Sequence, residues 1–344
     1  MKNNLNFRLM ENLKFAVVGC GHIGMRHIKV ISEEANAELV AVCDILPEVT
    51  KEIHQKIPGI NCYRDYDELL EKEDVDVVCI CTPHGFHAEM SIKAAEAKKY
   101  VLVEKPMALT SAESEKMIAT AEENGVKLFV VKQNRYNTPI RLTTEALQKQ
   151  KLGKIFLVQC NVLWNRHDEY YQQSDWRGKK ASEGGALQTQ VSHFLDLLIW
   201  WFGDITQAKS FYETLNHDIE IEDCGVSSLK FENGALGSLN WTTCVYNYNY
   251  EGSITIVGEK GTIKIGGKYL NEIDYWDVQS YPMPEDLEFE DKPNSYGTYQ
   301  GSSSNHDKVF HELVENLMEG RKGVVEGDEG IKSIYAIEKI YGGQ

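Results

Sequence analysis

Three short motifs early in the chain place side chains able to do chemistry at the ends of apolar runs. Gly19-Cys20-Gly21-His22-Ile23-Gly24 follows the run Lys14-Phe15-Ala16-Val17-Val18 and opens a helical pattern. In that setting G-x-G-x-x-G allows a tight turn, lets the backbone approach a pyrophosphate, and sets that anion on a helix N-terminus. Asp44 ends the second apolar run, twenty residues past Gly24. A carboxylate there accepts hydrogen bonds from a ribose 2′-hydroxyl and repels a 2′-phosphate, so the expected cofactor is NAD rather than NADP. Thr82-Pro83-His84-Gly85-Phe86-His87 and Glu104-Lys105-Pro106 end two further runs. Loops at the carboxyl ends of such strands line the ligand crevice. Thr82, Pro83 and His87 are therefore expected on the nicotinamide-ribose side, the plain alternative being a Pro-Gly turn feeding a helix. Lys105, with Glu104 as charge partner, can hold or deprotonate a substrate hydroxyl if burial lowers its pKa from ~10.4. A solvated strand-end lysine is the competing reading.

These motifs need a frame. Lys14–Gly19, Ala37–Cys43, Val75–Cys81, Tyr100–Val103 and Lys127–Val131 are strand-length and rich in Val, Leu and Ile. Helical patterns lie between them, at Gly24–Glu33, Glu68–Glu71, His87–Ala97 and Ser111–Asn124, the last opened by a capping box at Thr110–Glu113 and stopped at Gly125. Apolar strands without polar alternation, separated by helices, predict an α/β doubly wound parallel sheet, a Rossmann domain over residues 11–132. Residues 133–344 carry longer β-like stretches, several joined by hairpin turns such as Glu232-Asn233-Gly234. They predict a second α/β domain with a large, mostly antiparallel open-faced sheet. Helices at Pro139–Lys149, Thr189–Trp201, Asp307–Glu319 and Asp328–Ile340 cover one face of that sheet, leaving the bare face for oligomerisation. Ser280–Asn305 reads as an extended excursion, and the residues before about 11 as a loose tail.

Composition removes other classes. With 36 Lys+Arg against 52 Asp+Glu the net charge is −16, which repels a phosphate backbone and an anionic membrane surface. No nucleic-acid or membrane partner is expected. The eight cysteines include no C-x-x-C pair, and Cys43, Cys79 and Cys81 sit in strand-like runs. No metal site and a reduced, cytoplasmic setting are expected.

Taken together, G-x-G-x-x-G, Cys81-Thr82-Pro83 with His87, Glu104-Lys105-Pro106, and Gly184-Gly185-Ala186 leading to His193 and Asp196 resemble the Gfo/Idh/MocA family of oxidoreductases over nearly the whole chain. The resemblance implies that Gly19, Gly21, His22, Ile23, Gly24 and Asp44 hold NAD, joined by Thr82, Pro83, His87 and Glu104. It also implies that Lys105 binds or activates the substrate hydroxyl and that His193 is the general acid/base. Oxidation of a secondary alcohol needs a base on the O–H while hydride leaves carbon, and histidine suits that near neutral pH. Many family members carry an Asp four residues before this His. Here Thr189 and Gln190 stand at that place, so the chain is expected to use a Lys–His pair rather than a Lys–Asp–His triad.

Lys132–Asn137, Asn161–Arg166, Glu169-Tyr170-Tyr171, Trp176-Arg177-Gly178 and the Gln-Gly-Ser segment 299–306 are similar to the branch that oxidises UDP-N-acetylglucosaminuronic acid at C3, the WlbA/WbpB type. Arg166 and Arg177 become candidate partners for a carboxylate or diphosphate, Tyr170, Tyr171 and Trp176 flat faces for a sugar or uracil, and Thr189 and Gln190 substrate contacts. The implied function is NAD-dependent formation of a 3-keto nucleotide sugar for surface-polysaccharide biosynthesis, with 2-oxoglutarate as a second substrate where the cofactor stays bound. A homodimer or homotetramer is expected. A free-sugar or cyclitol dehydrogenase, an NAD-dependent glycoside hydrolase and a non-catalytic NAD-binding sensor stay open beside it.

Overall fold

The structure, a computed structural model, describes residues 12–285, 293–295 and 300–343. Residues 286–292 and 296–299 of the expected excursion, the last of them Tyr299 of the Gln-Gly-Ser segment, and the N-terminal tail lie outside the described residues. Among the described residues no helix is long and apolar enough to cross a membrane.

The N-terminal layer runs β1 (Leu13–Val18), α1 (His22–Glu33), β2 (Ala37–Cys43), α2 (Pro47–Lys56), β3 (Asn61–Tyr63), α3 (Tyr66–Lys72), β4 (Val77–Ile80), α4 (His87–Glu96), β5 (Tyr100–Val103), α5 (Ser111–Glu123) and β6 (Leu128–Val130). The sheet order is β3-β2-β1-β4-β5-β6, and every pairing is parallel. β4 and β6 are buried throughout, as unbroken apolar strands covered on both faces must be. The Thr110–Glu113 capping box forms at the start of α5. Two elements go beyond the sequence reading, α2 and β3. α2 is mostly polar and buries only Thr50 and Ile53, and β3 is a three-residue edge strand.

The chain continues through α6 (Thr138–Gln148), β7 (Ile155–Leu163), α7 (Asp168–Gln172), a π-type turn (Leu187–Val191), α8 (Ser192–Phe202), β8 (Ile205–Glu213), β9 (Cys224–Phe231), β10 (Leu236–Thr242), β11 (Glu251–Gly258), β12 (Gly261–Gly266) and β13 (Glu272–Val278). It closes with the short strands β14 (Pro293–Ser295) and β15 (Gln300–Ser303), then α9 (His306–Glu319), α10 (Gly327–Gly330) and α11 (Lys332–Tyr341). β8 to β13 and β7 make a seven-stranded sheet, β13-β12-β11-β7-β10-β9-β8. All its pairings are antiparallel except β7 with β10. Alternation along β9 buries Gly225, Ser227, Leu229 and Phe231 against the helices and leaves the facing positions exposed. The helix expected from Thr189 begins as the π-type turn and settles into α8 only at Ser192.

The helix expected at Asp307–Glu319 over the second sheet, α9, instead returns to the first, while α11 packs Ala336, Ile337 and Ile340 into the core of the second. Val309, Phe310, Leu313 and Val314 of α9 pack in one core with Phe15, Val17, Leu102 and Phe129. The Val130 N–H donates to the Val325 carbonyl at 2.9 Å, extending the β6 edge.

Candidate functional site

In the first sheet the strand order reverses between β1 and β4, and a crevice opens at the strands' carboxyl ends there. A cavity of about 810 Å³ occupies it. Gly19, Gly21, His22, Ile23, Asp44, Thr82, Pro83, His87, Glu104, Lys105, Arg166, Tyr170, Arg177, Thr189, Gln190 and His193 all line it. Of the residues given cofactor, catalytic or substrate roles from the sequence, Gly24 and Tyr171 do not line it; Gly24 is buried in the first turn of α1. A more open groove of about 1000 Å³, lined by Arg135, Arg141, Trp200 and Glu329 among others, contains none of them.

The glycine turn fits a dinucleotide. Gly19 has φ +83°, and a Cβ there would stand 2.8 Å from the Cys81 carbonyl, so only glycine passes this close to the β4 loop. Gly21 caps α1 with no side chain over the helix N-terminus, and a Cβ on it would meet nothing within 4 Å. The positive end of the helix dipole thus faces open space, as a pyrophosphate requires. The Asp44 carboxylate is fixed at the lip, accepting from the Cys20 N–H at 2.7 Å and the Leu46 N–H at 3.0 Å. These residues suit an adenosine ribose and a diphosphate.

Deeper in, Lys105 leaves the end of β5 and its Nζ donates to the Thr189 carbonyl at 2.7 Å. Burial, opposed by Glu104 and reinforced by Lys132 and Arg166, brings its pKa down to about 8. His193, on the first turn of α8, is 5% exposed. Burial and the nearby Lys105 and Lys132 charges hold its pKa well below the ordinary imidazole range, so the ring is a neutral base. The pairing of Lys105 with a main-chain oxygen of the π-type turn ties both functional groups to one frame. Such turns often occur at functional sites.

The two arginines share a ring. The Arg177 guanidinium lies 4.2 Å and that of Arg166 5.2 Å from the centre of Tyr170, contacts favourable to a cation on an aromatic face. Tyr170 is buried, and its hydroxyl accepts from Gln190 at 3.3 Å. Its faces therefore carry the arginines instead of lying open for a sugar or uracil. Tyr171 packs edge-on against Tyr170 and beside His217, while Trp176 lines the cavity.

Other expected contacts form the frame around the cavity. The His87 ring nitrogens lie 2.7 Å from the Pro106 carbonyl and 2.9 Å from that of Thr82, joining the β4 and β5 loops. One oxygen of Glu104 lies 2.9 Å from His27 Nε2 and 3.2 Å from His306 Nε2. The imidazoles hold this buried carboxyl well below its usual range against the desolvation that raises it. Asp196 takes both arms of Arg135, at 2.8 and 2.9 Å, and lies 3.3 Å from Lys132 Nζ. It locks α8 to the β6 loop.

Three residues of this frame escaped the sequence reading. Glu183 is fully buried, accepts from the Gly178 N–H at 2.5 Å, and has its pKa raised mainly by burial. His217 bridges Asp223, at 3.0 Å, to the Arg166 carbonyl, at 2.8 Å. No local pattern distinguishes these polar side chains from surface ones; distant contacts bury them.

A family model described as "Oxidoreductase family, NAD-binding Rossmann fold" matches residues 13–132. One described as "GFO/IDH/MocA C-terminal domain" matches residues 140–264. The chain is similar to the WlbA dehydrogenase of Bordetella pertussis, solved in complex with NADH and UDP-GlcNAcA, at 35% identity and TM-score 0.88 over 96% of both chains. It is similar to the WlbA dehydrogenase of Chromobacterium violaceum, solved with the same two molecules, at 36% identity and TM-score 0.89 over 98% of this chain and 94% of the other. Myo-inositol 2-dehydrogenase of Thermotoga maritima is 26% identical over 95% of this chain and 96% of its own.

Proposed function

We propose that this chain, which belongs to the Gfo/Idh/MocA family of NAD-binding oxidoreductases, oxidises the C3 hydroxyl of UDP-N-acetylglucosaminuronic acid to a ketone. The observation that carries this reading is the set of groups brought to one cavity. The glycine turn, Asp44, Lys105, His193 and the Arg166–Tyr170–Arg177 cluster all line it. Two guanidiniums in a partly apolar wall suit a carboxylate or diphosphate and are not needed for a neutral polyol. The two similar structures solved with NADH and UDP-GlcNAcA support the same substrate class.

NAD, when bound, supplies the acceptor for the hydride that leaves C3. The chain's own groups manage the proton and the orientation. Lys105, as ammonium, donates to the substrate oxygen and polarises the O–H bond. The neutral imidazole of His193 takes the hydroxyl proton as the C–H pair departs, giving a ketone, a hydride on the acceptor and one proton on the protein. With Lys105 already engaged by the Thr189 carbonyl, its amine approaches the substrate in a fixed direction. Thr189 and Gln190 act through that carbonyl and through the Tyr170 hydroxyl, and both stand at the cavity wall. In the same reading the protein is a homodimer or homotetramer joined through the bare sheet face. 2-Oxoglutarate serves as oxidant of a retained cofactor.

Turnover with NAD against UDP-N-acetylglucosaminuronic acid, UDP-N-acetylglucosamine, glucose and myo-inositol, with and without 2-oxoglutarate, tests this. Mass spectrometry reads the products. Loss of two mass units from the uronic acid alone is the expected result. Turnover of a free polyol in its place would overturn the nucleotide-sugar assignment.

A further inference from the structure

Beneath the π-type turn lies a carboxyl group that takes no part in the chemistry above. Glu222, just before β9, is buried. One of its oxygens accepts from the Leu187 N–H at 3.0 Å and from the Tyr341 hydroxyl at 2.8 Å. Leu187 begins the turn, Thr189 within it receives Lys105, and His193 follows on α8. Tyr341 ends α11. A Cβ on Gly185 would run into the Tyr341 hydroxyl and come within 2.7 Å of Glu222, so Gly185 is needed here to let the pair reach beneath the turn.

We infer that Glu222 and Tyr341 are positioning residues that pin the N-terminal end of the catalytic turn and so set the placement of Thr189, Lys105 and His193. A carboxylate under the first N–H of a helical segment is favoured by the exposed peptide dipoles. The groups facing it are Tyr341 from α11, Trp241 from β10 and, behind Tyr341, Tyr212 from β8, whose hydroxyl donates to the Tyr341 carbonyl at 3.0 Å. Burial pushes the carboxyl up to about 7 against the hydrogen bonds from Tyr341 and Leu187. The folded chain therefore binds this proton more tightly than the unfolded one does. Stability against an uncharged variant is fully present below about pH 4.5 and is lost as pH rises from there through 7. The site thus holds a carboxylate that weakens the fold at pH 8, where its charge strengthens the grip on the turn.

This inference rests on the Lys105–His193 assignment, and its test separates the two. Glu222→Gln keeps an acceptor oxygen but removes the charge; Tyr341→Phe removes the hydroxyl. Both are expected to speed hydrogen exchange of amides 187–193 while leaving those of α1 unchanged. With whichever sugar the enzyme oxidises, kcat falls on the order of tenfold at pH 8, since small misplacements of a reacting group are costly, and KM for NAD stays the same. Glu222→Gln also melts higher than the unaltered protein at pH 8, a gap that narrows below pH 7 and closes below about pH 4.5. Unchanged exchange in both variants, or no melting gap at pH 8, overturns the inference. Failure to oxidise the uronic acid overturns only the substrate assignment, because exchange and melting read the pin without turnover.

Discussion

Lys105 and His193 make opposite demands on charge, and their surroundings meet both. The amine must stay protonated to polarise an oxygen, whereas the imidazole must stay neutral to accept from it. With the Lys105 pKa brought down to about 8, the donor form is lost above that pH. The expected kcat/KM profile therefore descends above about pH 8, and Lys105→Arg carries the descent to higher pH. Lys105→Ala is expected to lower kcat by ~10²–10⁴, the usual worth of a positioned acid or base, with the circular dichroism spectrum unchanged. Full turnover by that variant would remove its catalytic assignment. At the other end, Asp44→Ala loses the fixed carboxylate at the lip. KM for NAD is expected to rise about tenfold, as for a lost charge-assisted hydrogen bond, and discrimination against NADP to fall. The residues legible in the sequence are those whose chemistry is tied to a local pattern: glycines after a strand, an acid at the next strand end, a Lys-Pro after another. Glu183 and Glu222 were illegible because nothing near them in sequence marks a carboxylate as buried. What buries them is Gly178, Tyr341 and the turn at Leu187, brought from other elements.

Elements show the same division. The apolar strands β1, β2, β4 and β5 were readable because a sheet covered on both faces demands uninterrupted Val, Ile and Leu. α2 and β3 were not, since a polar helix at the rim and a three-residue edge strand carry almost no periodic signal. The π-type turn before α8 was also hidden, because one extra residue per turn barely disturbs a helical pattern. Its geometry is stabilised from outside, by Lys105 above and Glu222 below. α8 is held to the β6 loop by Asp196 on Arg135 and Lys132. Asp196→Ala takes the carboxylate from buried Lys132 and leaves Arg135 only its pair with Glu329, which costs about 3–5 kcal/mol. A drop of that size in the unfolding free energy, read by denaturant titration, is expected, and Asp196→Asn recovers only part of it.

Across the whole molecule the open sheet presents Phe211, Val226, Leu236 and Tyr275 to solvent on its bare face, with Phe211 beside Val226 in register. Adjacent apolar side chains on one flat face suit a second copy of the chain. Val226→Lys with Leu236→Lys is expected to shift the protein toward the monomer in sedimentation velocity; an unchanged mass would place the contact elsewhere. The return of α9 and Val325 to the first sheet has a different consequence, one that concerns synthesis. Phe310 roofs Phe15, and Val325 completes the edge beside Val130. As the chain leaves the ribosome, the nucleotide-binding half therefore waits, with that apolar surface uncovered, until some two hundred further residues have been made. Cutting that half out as a module of its own would leave the same surface, around Phe15 and the β6 edge, bare.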